Sequence, residues 1–431
     1  MFRAVCGADH VTRARGRGWA LTVALHTLAC YRRVEPVLVR ATRLTVAEVL
    51  RDPCQGNSNA DVPRRCAVAR CGYGEMEPML GARVTARYHP RRRDVSRVAV
   101  LEGLGTAVPS RTVSNAELAP ALGVSDEWIR RRTGIAQRRI VDPGTTTADL
   151  ATAAGRNALK SAQTDAVDAV IVATTTPDRL SPATAPEVAW RVGVAPAAAF
   201  DIAAVCSGFV YGLATGAGLI AAGIADRVLL IGAETNSYFL EHTPETRGPA
   251  ILFGDGAGAV VLRAGETGEP GAIGPFDLGS DGAAADLIRI EAGGCRQRAR
   301  TAPGSDEVHW TISGQEVYRR AVEHMTASAL KVLAAVGRSI ADVDRFVAHQ
   351  ANQRILDRVA EQLAVPEDRR IGNVAMVGNT GAASIPLALG DACRADGLTA
   401  GHRLLATSFG GGLTWGSALM TWPQLDVVAT E

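Results

Sequence analysis

Short runs of consecutive apolar residues, each closed by a turn signal, organise the chain from Arg97 onward. DAVIVATTT (168–176) and DRVLLIGAE (226–234) are apolar on both faces. That is the pattern of strands buried in a parallel sheet, since a half-solvated strand would alternate. Between them FDIAAV reads as a further strand, and a small-residue, helix-like run follows from about Ser207 to Ala222. GDGAGAVVLRA (254–264) then reads as a turn and a strand. Strand–helix–strand alternation of this kind predicts an α/β fold with a mainly parallel sheet.

The pattern repeats. VDAVIVATTT (167–176) resembles VDRFVAHQAN (343–352), and FDIAAVCSGF resembles GNVAMVGNTGAAS (372–384). ADRVLLIGAE resembles GHRLLATSFG (401–410), and GAGAVVLRA resembles TWGSALMTW (414–422). Internal duplication of this length predicts two similar α/β halves, 98–266 and 267–431. In that register Cys206 and Asn379 occupy equivalent turns, one in each half.

Composition fits a packed body with a different head. Hydrophobic residues make up 47% and charged residues 21% of 431, enough for a sizeable core. The formal charge of +2 is unevenly spread: residues 1–97 carry +10, leaving −8 for the rest. The head has 18 arginines and no lysine, and the whole chain has only Lys160 and Lys331. Its apolar run WALTVALHTLACY (19–31) follows basic residues as in a signal peptide, but His26 interrupts it and Arg32 and Arg33 close it. At 13 residues it is too short to span a bilayer. The head is expected to be a disordered basic leader or an extension from a misplaced start codon. Neither nucleic-acid binding nor membrane insertion is expected, because no aromatic-interleaved basic motif and no long apolar span is present. Cys206, Cys295 and Cys393, alone in the body and widely spaced, suit a reducing cytoplasm. Cys66 and Cys71 lack partners at zinc spacing, so no metal site is expected.

Two glycine-rich stretches are not nucleotide loops. AVLEGLG has Gly103 and Gly105 but Val108 and Pro109 where a third glycine would open a helix. FGDGAGAVV lacks the Lys-Ser/Thr of a P-loop.

Four places can carry chemistry. Cys206 is either a small apolar filler or a nucleophile at a strand–helix corner, where the helix N-terminus would favour thiolate. His349 ends the strand RFVA, ahead of a helix carrying Ile355, Leu356, Val359 and Leu363, and strand C-termini are where α/β sites form. The alternative is a hydrogen-bonded structural histidine. Asn379, in GNTG, is either a turn residue tolerating left-handed backbone or an amide donor for a developing negative charge. FGGGLTWG (409–416) is a flexible loop or a place where backbone N–H groups turn toward a ligand.

Taken together, SDEWIRRRTGI (125–135), AAVCSGF, RGPAILFGDGAGAVVL (247–262), HQANQRI, GNTGAAS and FGGGLTWGSAL resemble the β-ketoacyl-acyl carrier protein synthase III family of the thiolase-like superfamily. The likeness spans residues 98–431 and leaves the head uncovered. It implies a thiolase-like fold of two duplicated α/β halves in a layered αβαβα arrangement, and a cytoplasmic homodimer. It implies a decarboxylative Claisen condensation, with acyl-CoA and malonyl-acyl carrier protein as substrates and no cofactor. Cys206 would carry the acyl group. His349 and Asn379 would bind the thioester oxygen of malonyl on acyl carrier protein. Backbone N–H groups of Cys206 and Gly411 would form the oxyanion hole, beside Phe409. Trp128 and Arg247 match residues that clasp the CoA adenine, Arg132 one near its phosphates, and Asn352 one on the pantetheine arm. Arg319 and Arg354 match carrier-protein docking positions.

Three departures bear on specificity. Gln315 stands where an Asn is usual, and Glu361-Gln362 where some relatives carry two lysines. Ser181 falls where some relatives place a bulky aromatic in the acyl pocket, which predicts a longer or branched primer. The order Cys206, His349, Asn379 also matches a papain-like cysteine protease, but the signature expected around such a cysteine is missing. A starter-unit ketosynthase of a specialised pathway, or an acyltransferase of the same fold, is the nearer alternative.

Overall fold

The computed structural model describes residues 97–299 and 309–430. The Arg-rich head, Arg97 excepted, lies outside the described residues, and so do the expectations attached to it.

Two mixed sheets repeat one strand order. In the first, β1 (Arg97–Ala107), β7 (Gly256–Glu266), β6 (Arg227–Glu234), β4 (Ala169–Ala173) and β5 (Ala198–Ile202) lie side by side in that order. In the second the order is β8 (Ile273–Ser280), β14 (Thr414–Thr421), β13 (Arg403–Gly410), β11 (Arg345–Ala348) and β12 (Arg370–Ile371). The pairings match as well. β1–β7 and β7–β6 are antiparallel, as are β8–β14 and β14–β13. β6–β4 and β4–β5 are parallel, as are β13–β11 and β11–β12. One strand breaks the symmetry: β15 (Val428–Thr430) returns to pair in parallel with β1. Two short antiparallel pairs complete the strands, β2 (Thr112–Ser114) with β3 (Gln137–Arg139) and β9 (Ile288–Ile290) with β10 (Trp310–Ile312).

The residues that read as apolar on both faces are buried on both faces. In β6, Val228 and Leu230 enter a core cluster shared with the second sheet, while Leu229 and Ile231 face the opposite side. Each of these side chains gains roughly 1.5–3 kcal/mol from burial. Helices supply the covers. α1 (Asn115–Leu122), α2 (Asp126–Thr133) and α5 (Arg247–Ala250) gather in a small satellite cluster around Ile129. α3 (Thr147–Ser161) packs on the outer face of the first sheet. α4 (Gly208–Ala221) and α8 (Ser384–Arg394) share the core between the sheets. α6 (Gly314–Ala335) and α7 (Gln353–Leu363) cover the outer face of the second. The result is helix–sheet–helix–sheet–helix layering.

The glycines of AVLEGLG have a packing role. A Cβ on Gly105 would stand 2.1 Å from the Ala158 backbone nitrogen, so α3 reaches β1 only because that side chain is absent. The repeat is imperfect near Asn379: β12 has only two residues and Val374–Val377 forms a helical turn, where the first half has the full strand β5.

Candidate active site

Cys206 sits in a 3-10 turn, Val205–Ser207, between the end of β5 and the start of α4. The residue before it, Val205, has φ of 48°. A β-branched residue in the left-handed region is strained, and such strain concentrates where a fold over-determines a functional turn. The surroundings do over-determine it. Ser207 Oγ donates to the Thr414 carbonyl at 3.1 Å, and Thr414 Oγ1 donates to the Ala204 carbonyl at 3.0 Å. A Cβ on Gly410 would lie 2.7 Å from the Cys206 nitrogen, so the end of β13 abuts the Cys206 amide only as glycine.

The thiol departs from the expectation of helix-stabilised thiolate. A cavity opens onto Cys206, but packed protein on the other sides pushes the thiol well above its usual range, and the Glu234 carboxylate adds to this. Burial outweighs the partial charge of a helix end. The ground state is a neutral thiol.

His349 follows the last residue of β11 and is 2% exposed. Its N–H donates to the Thr407 carbonyl at 2.8 Å, and its Nδ1 lies 2.7 Å from Ser384 Oγ at the start of α8. Burial pushes its pKa down to about 3, so the ring is neutral at physiological pH.

Asn379 is not the left-handed turn residue: Gly378 and Gly381 take positive φ, at 73° and 54°, and Asn379 does not. Its backbone is fixed across the two halves, N–H donating to the Leu252 carbonyl at 2.8 Å and carbonyl accepting from Gly254 N–H at 3.0 Å. Its Oδ1 accepts from Gly381 N–H at 2.9 Å. With the acceptor engaged, Nδ2 is the group left to donate.

One cavity of about 890 Å³ reaches Cys206, His349, Asn379 and Phe409. Trp128, Arg132, Arg247, Asn352 and Arg354 line it too. Arg132 lies over the Trp128 ring at 4.3 Å and Arg247 at 5.8 Å, so two cations stand close to one aromatic plane. Asn352 caps α7 by accepting the Arg354 N–H at 2.9 Å, and its Nδ2 donates to the Arg132 carbonyl at 3.2 Å. These residues belong to α2, α5 and α7, which approach from both halves.

Other anticipated residues fall elsewhere. Ser181 is exposed on a loop outside the cavity. Gly410 lines the cavity, whereas Gly411 sits one residue on, with the Ile288 carbonyl 3.2 Å from where its Cβ would be. Arg319 is outside the cavity and is engaged by Glu316 at 2.6 Å and Glu323 at 3.3 Å on its own helix. Two carboxylates thus flank Arg319, and Arg319 and Arg320 together hold the Glu316 carboxyl down at about 2.

Sequence reading missed three contributors. Ser384 lies within the GNTGAAS stretch, but nothing local announces a partner 35 residues from His349. Glu234 closes β6, is 1% exposed, and accepts from Thr176 Oγ1 at 2.8 Å and from Thr175 N–H at 3.1 Å. Gly410, beside the expected Gly411, lines the cavity and abuts Cys206.

Comparison with known proteins decides the lineage. The family described as 3-oxoacyl-[acyl-carrier-protein] synthase III matches residues 200–282, and its C-terminal counterpart matches 333–422. A Streptomyces coelicolor protein named beta-ketoacyl-[acyl-carrier-protein] synthase III 3 is 56% identical over 337 residues, covering 78% of this chain and 100% of its own. The chain belongs to the β-ketoacyl-acyl carrier protein synthase III family. Among solved synthases of this family, the Pseudomonas aeruginosa enzyme superposes with a TM-score of 0.71 at 47% identity, covering 76% of this chain and 99% of its own. A related structure, the priming β-ketosynthase of the R1128 polyketide pathway, gives a TM-score of 0.71 at 31% identity over 76% of this chain and 97% of that one. The β-ketoacyl synthase III fold is the duplicated, layered thiolase-like one, which excludes the papain-like alternative.

Proposed function

We propose that this chain is a 3-oxoacyl-acyl carrier protein synthase III. It takes an acyl group from acyl-CoA onto Cys206 and condenses it with malonyl held on acyl carrier protein, starting fatty acid or polyketide synthesis. The observation that carries this reading is the convergence of Cys206, His349 and Asn379 on one cavity that also holds an Arg–Trp–Arg clasp.

In the first half-reaction the Cys206 sulfur attacks the thioester carbonyl. The bond to the CoA sulfur breaks and the thiol proton passes to that sulfur. A clasp of Trp128, Arg132 and Arg247 suits a nucleotide with phosphates, the base stacking and the guanidinium groups facing negative charge. In the second half-reaction malonyl loses CO2 and leaves an enolate. His349 as a neutral N–H donor and Asn379 Nδ2 would hold its oxygen. A neutral ring held by Ser384 supports this role, because it gives a hydrogen bond without offering a proton to quench the carbanion. The enolate carbon attacks the Cys206 thioester, the C–S bond breaks, and the thiolate takes up a proton. N–H groups of Cys206 and Gly411, with Gly410 abutting Cys206, are proposed for the oxyanion, and Phe409 for the carboxylate side.

A homodimer is part of this reading, and the free edge of β5, a half-buried strand with no partner on one side among the described residues, supports it. Asp201 on β5 accepts from Thr184 N–H and Ala185 N–H, both at 2.7 Å, and so pins the Ser181 loop beside that edge. Ser181 can then shape an acyl pocket only across the dimer interface. We place carrier-protein docking on Arg354 rather than on Arg319, which two carboxylates flank. Among the described residues no helix is long and apolar enough to cross a membrane, consistent with the cytoplasmic setting proposed. The halves are taken as 98–266 and 267–431, with residues 1–97 as an extension.

The test is release of labelled CO2 from carboxyl-labelled malonyl-acyl carrier protein in the presence of acyl-CoA. CO2 release with a 3-oxoacyl product supports condensation; acyl transfer without it would reduce the protein to an acyltransferase.

A further inference from the structure

Arg138 is fully buried, and among the described residues no carboxylate bonds it directly. Its Nη1 donates to Asn115 Oδ1 at 2.8 Å and its Nη2 to the Ile251 carbonyl at 2.9 Å, while Nε has no partner. A buried cation held only by neutral oxygens is expensive to retain. Burial lowers its pKa only to about 10, so it keeps its charge.

Its partners lead to the clasp. Asn115 starts α1, and its Nδ2 donates to Asp126 Oδ1 at 2.8 Å. Asp126 is the first residue of α2, which carries Trp128 and Arg132. Ile251 caps α5, which carries Arg247. The backbone beside Arg138 docks on the other half: Ala136 N–H donates to the Ala375 carbonyl at 2.9 Å, and a Cβ on Gly378 would stand 3.0 Å from the Arg138 Cβ. Gly378 immediately precedes Asn379.

We propose that Arg138 is a positioning residue, holding α2 through Asn115 and Asp126 and α5 through Ile251, so that Trp128 and Arg247 stay in register with Asn379. This rests on the reading of Trp128, Arg132 and Arg247 as the clasp for the CoA nucleotide. Arg138 itself touches no substrate.

The test compares acyl-CoA with the matching acyl-pantetheine, which lacks the nucleotide, in Arg138→Met, Asn115→Ala and Trp128→Ala. Asn115→Ala keeps the buried guanidinium and carries the test if Arg138→Met does not fold. Alkylation of Cys206 by iodoacetamide reports an intact catalytic turn. All three variants are expected to raise KM for acyl-CoA about tenfold, and Arg138→Met and Asn115→Ala to keep acyl-pantetheine kinetics and alkylation near wild type. Equal losses with both substrates in Arg138→Met and Asn115→Ala would overturn the proposal, leaving a purely structural arginine. So would an unchanged KM in those two while Trp128→Ala raises it, which would leave the clasp reading standing. No effect of Trp128→Ala on acyl-CoA would remove the clasp reading and the proposal with it.

Discussion

The Nδ1 of His349 lies 2.7 Å from the Oγ of Ser384, the residue that opens the central helix α8. A hydroxyl can give or accept, so Ser384 supports either tautomer, unlike a carboxylate, which would fix the proton on Nδ1. When Ser384 donates, the proton of the ring sits on Nε2. The same oxygen accepts the Gln350 N–H at 3.3 Å, which holds it in place.

Ser384→Ala therefore removes the orientation of the ring while leaving Cys206 untouched. CO2 release from malonyl-acyl carrier protein should fall about tenfold, the usual scale for an unmade buried hydrogen bond. Acylation of Cys206, followed by mass, should change far less.

His349 bears on pH dependence. Its folded pKa is about 3, pushed down by burial, against 6.5 for the free group. The unfolded chain binds the proton first as pH falls, so this group subtracts stability progressively from about pH 6.5 toward 3 and costs nothing above that window. The acid side of CO2 release should show no step near 6.5 from His349. A decarboxylation profile of Cys206→Ala between pH 5 and 8, repeated with Glu234→Gln added, measures this.

Glu234 works in the opposite sense. Burial lifts its carboxyl to about 7 from 4.5, against the hydrogen bonds from Thr176 and Thr175. The unfolded chain loses this proton first, so stability falls as pH rises from about 4.5 to 7. Glu234→Gln should flatten that part of the melting-temperature profile. Removing the charge should also move Cys206 alkylation to lower pH and speed it severalfold at pH 8, because the Glu234 carboxylate helps hold the thiol up.

Gly410→Ala is the steric probe. The new Cβ would stand 2.7 Å from the Cys206 nitrogen, and its neighbour is backbone that cannot rotate away. Overpacking should cost about 1–3 kcal/mol of stability. Acyl-enzyme formation should drop by more than the melting temperature alone explains, as read by intact mass against a thermal melt.

Much of this was legible in the chain. Runs such as DAVIVATTT are buried on both faces, so their pattern and their place agree, and the duplicated strand order was visible as a duplicated sequence. Cys206, His349 and Asn379, the three residues proposed for catalysis, stood out because each sits at an element boundary, where strand ends and helix starts leave a residue-type signature. What failed to show depends on distance through space. The Cys206 thiol answers to packing density and to Glu234, neither of which a helix boundary reveals. Arg138 looked like one more basic residue in RRTGIAQRRI and is a buried hub. Arg319, expected at a carrier-protein docking position, is flanked by acids one turn either way. Ser181 does not line the cavity, which a position in the chain alone could not reveal.

The intact mass of the protein after incubation with a panel of acyl-CoAs tests the central claim most directly. One acyl increment is expected on wild type, none on Cys206→Ala, and loss of the increment on adding malonyl-acyl carrier protein, with a 3-oxoacyl product appearing. An increment that persists in Cys206→Ala, or an acyl-enzyme that malonyl-acyl carrier protein does not discharge, would contradict it.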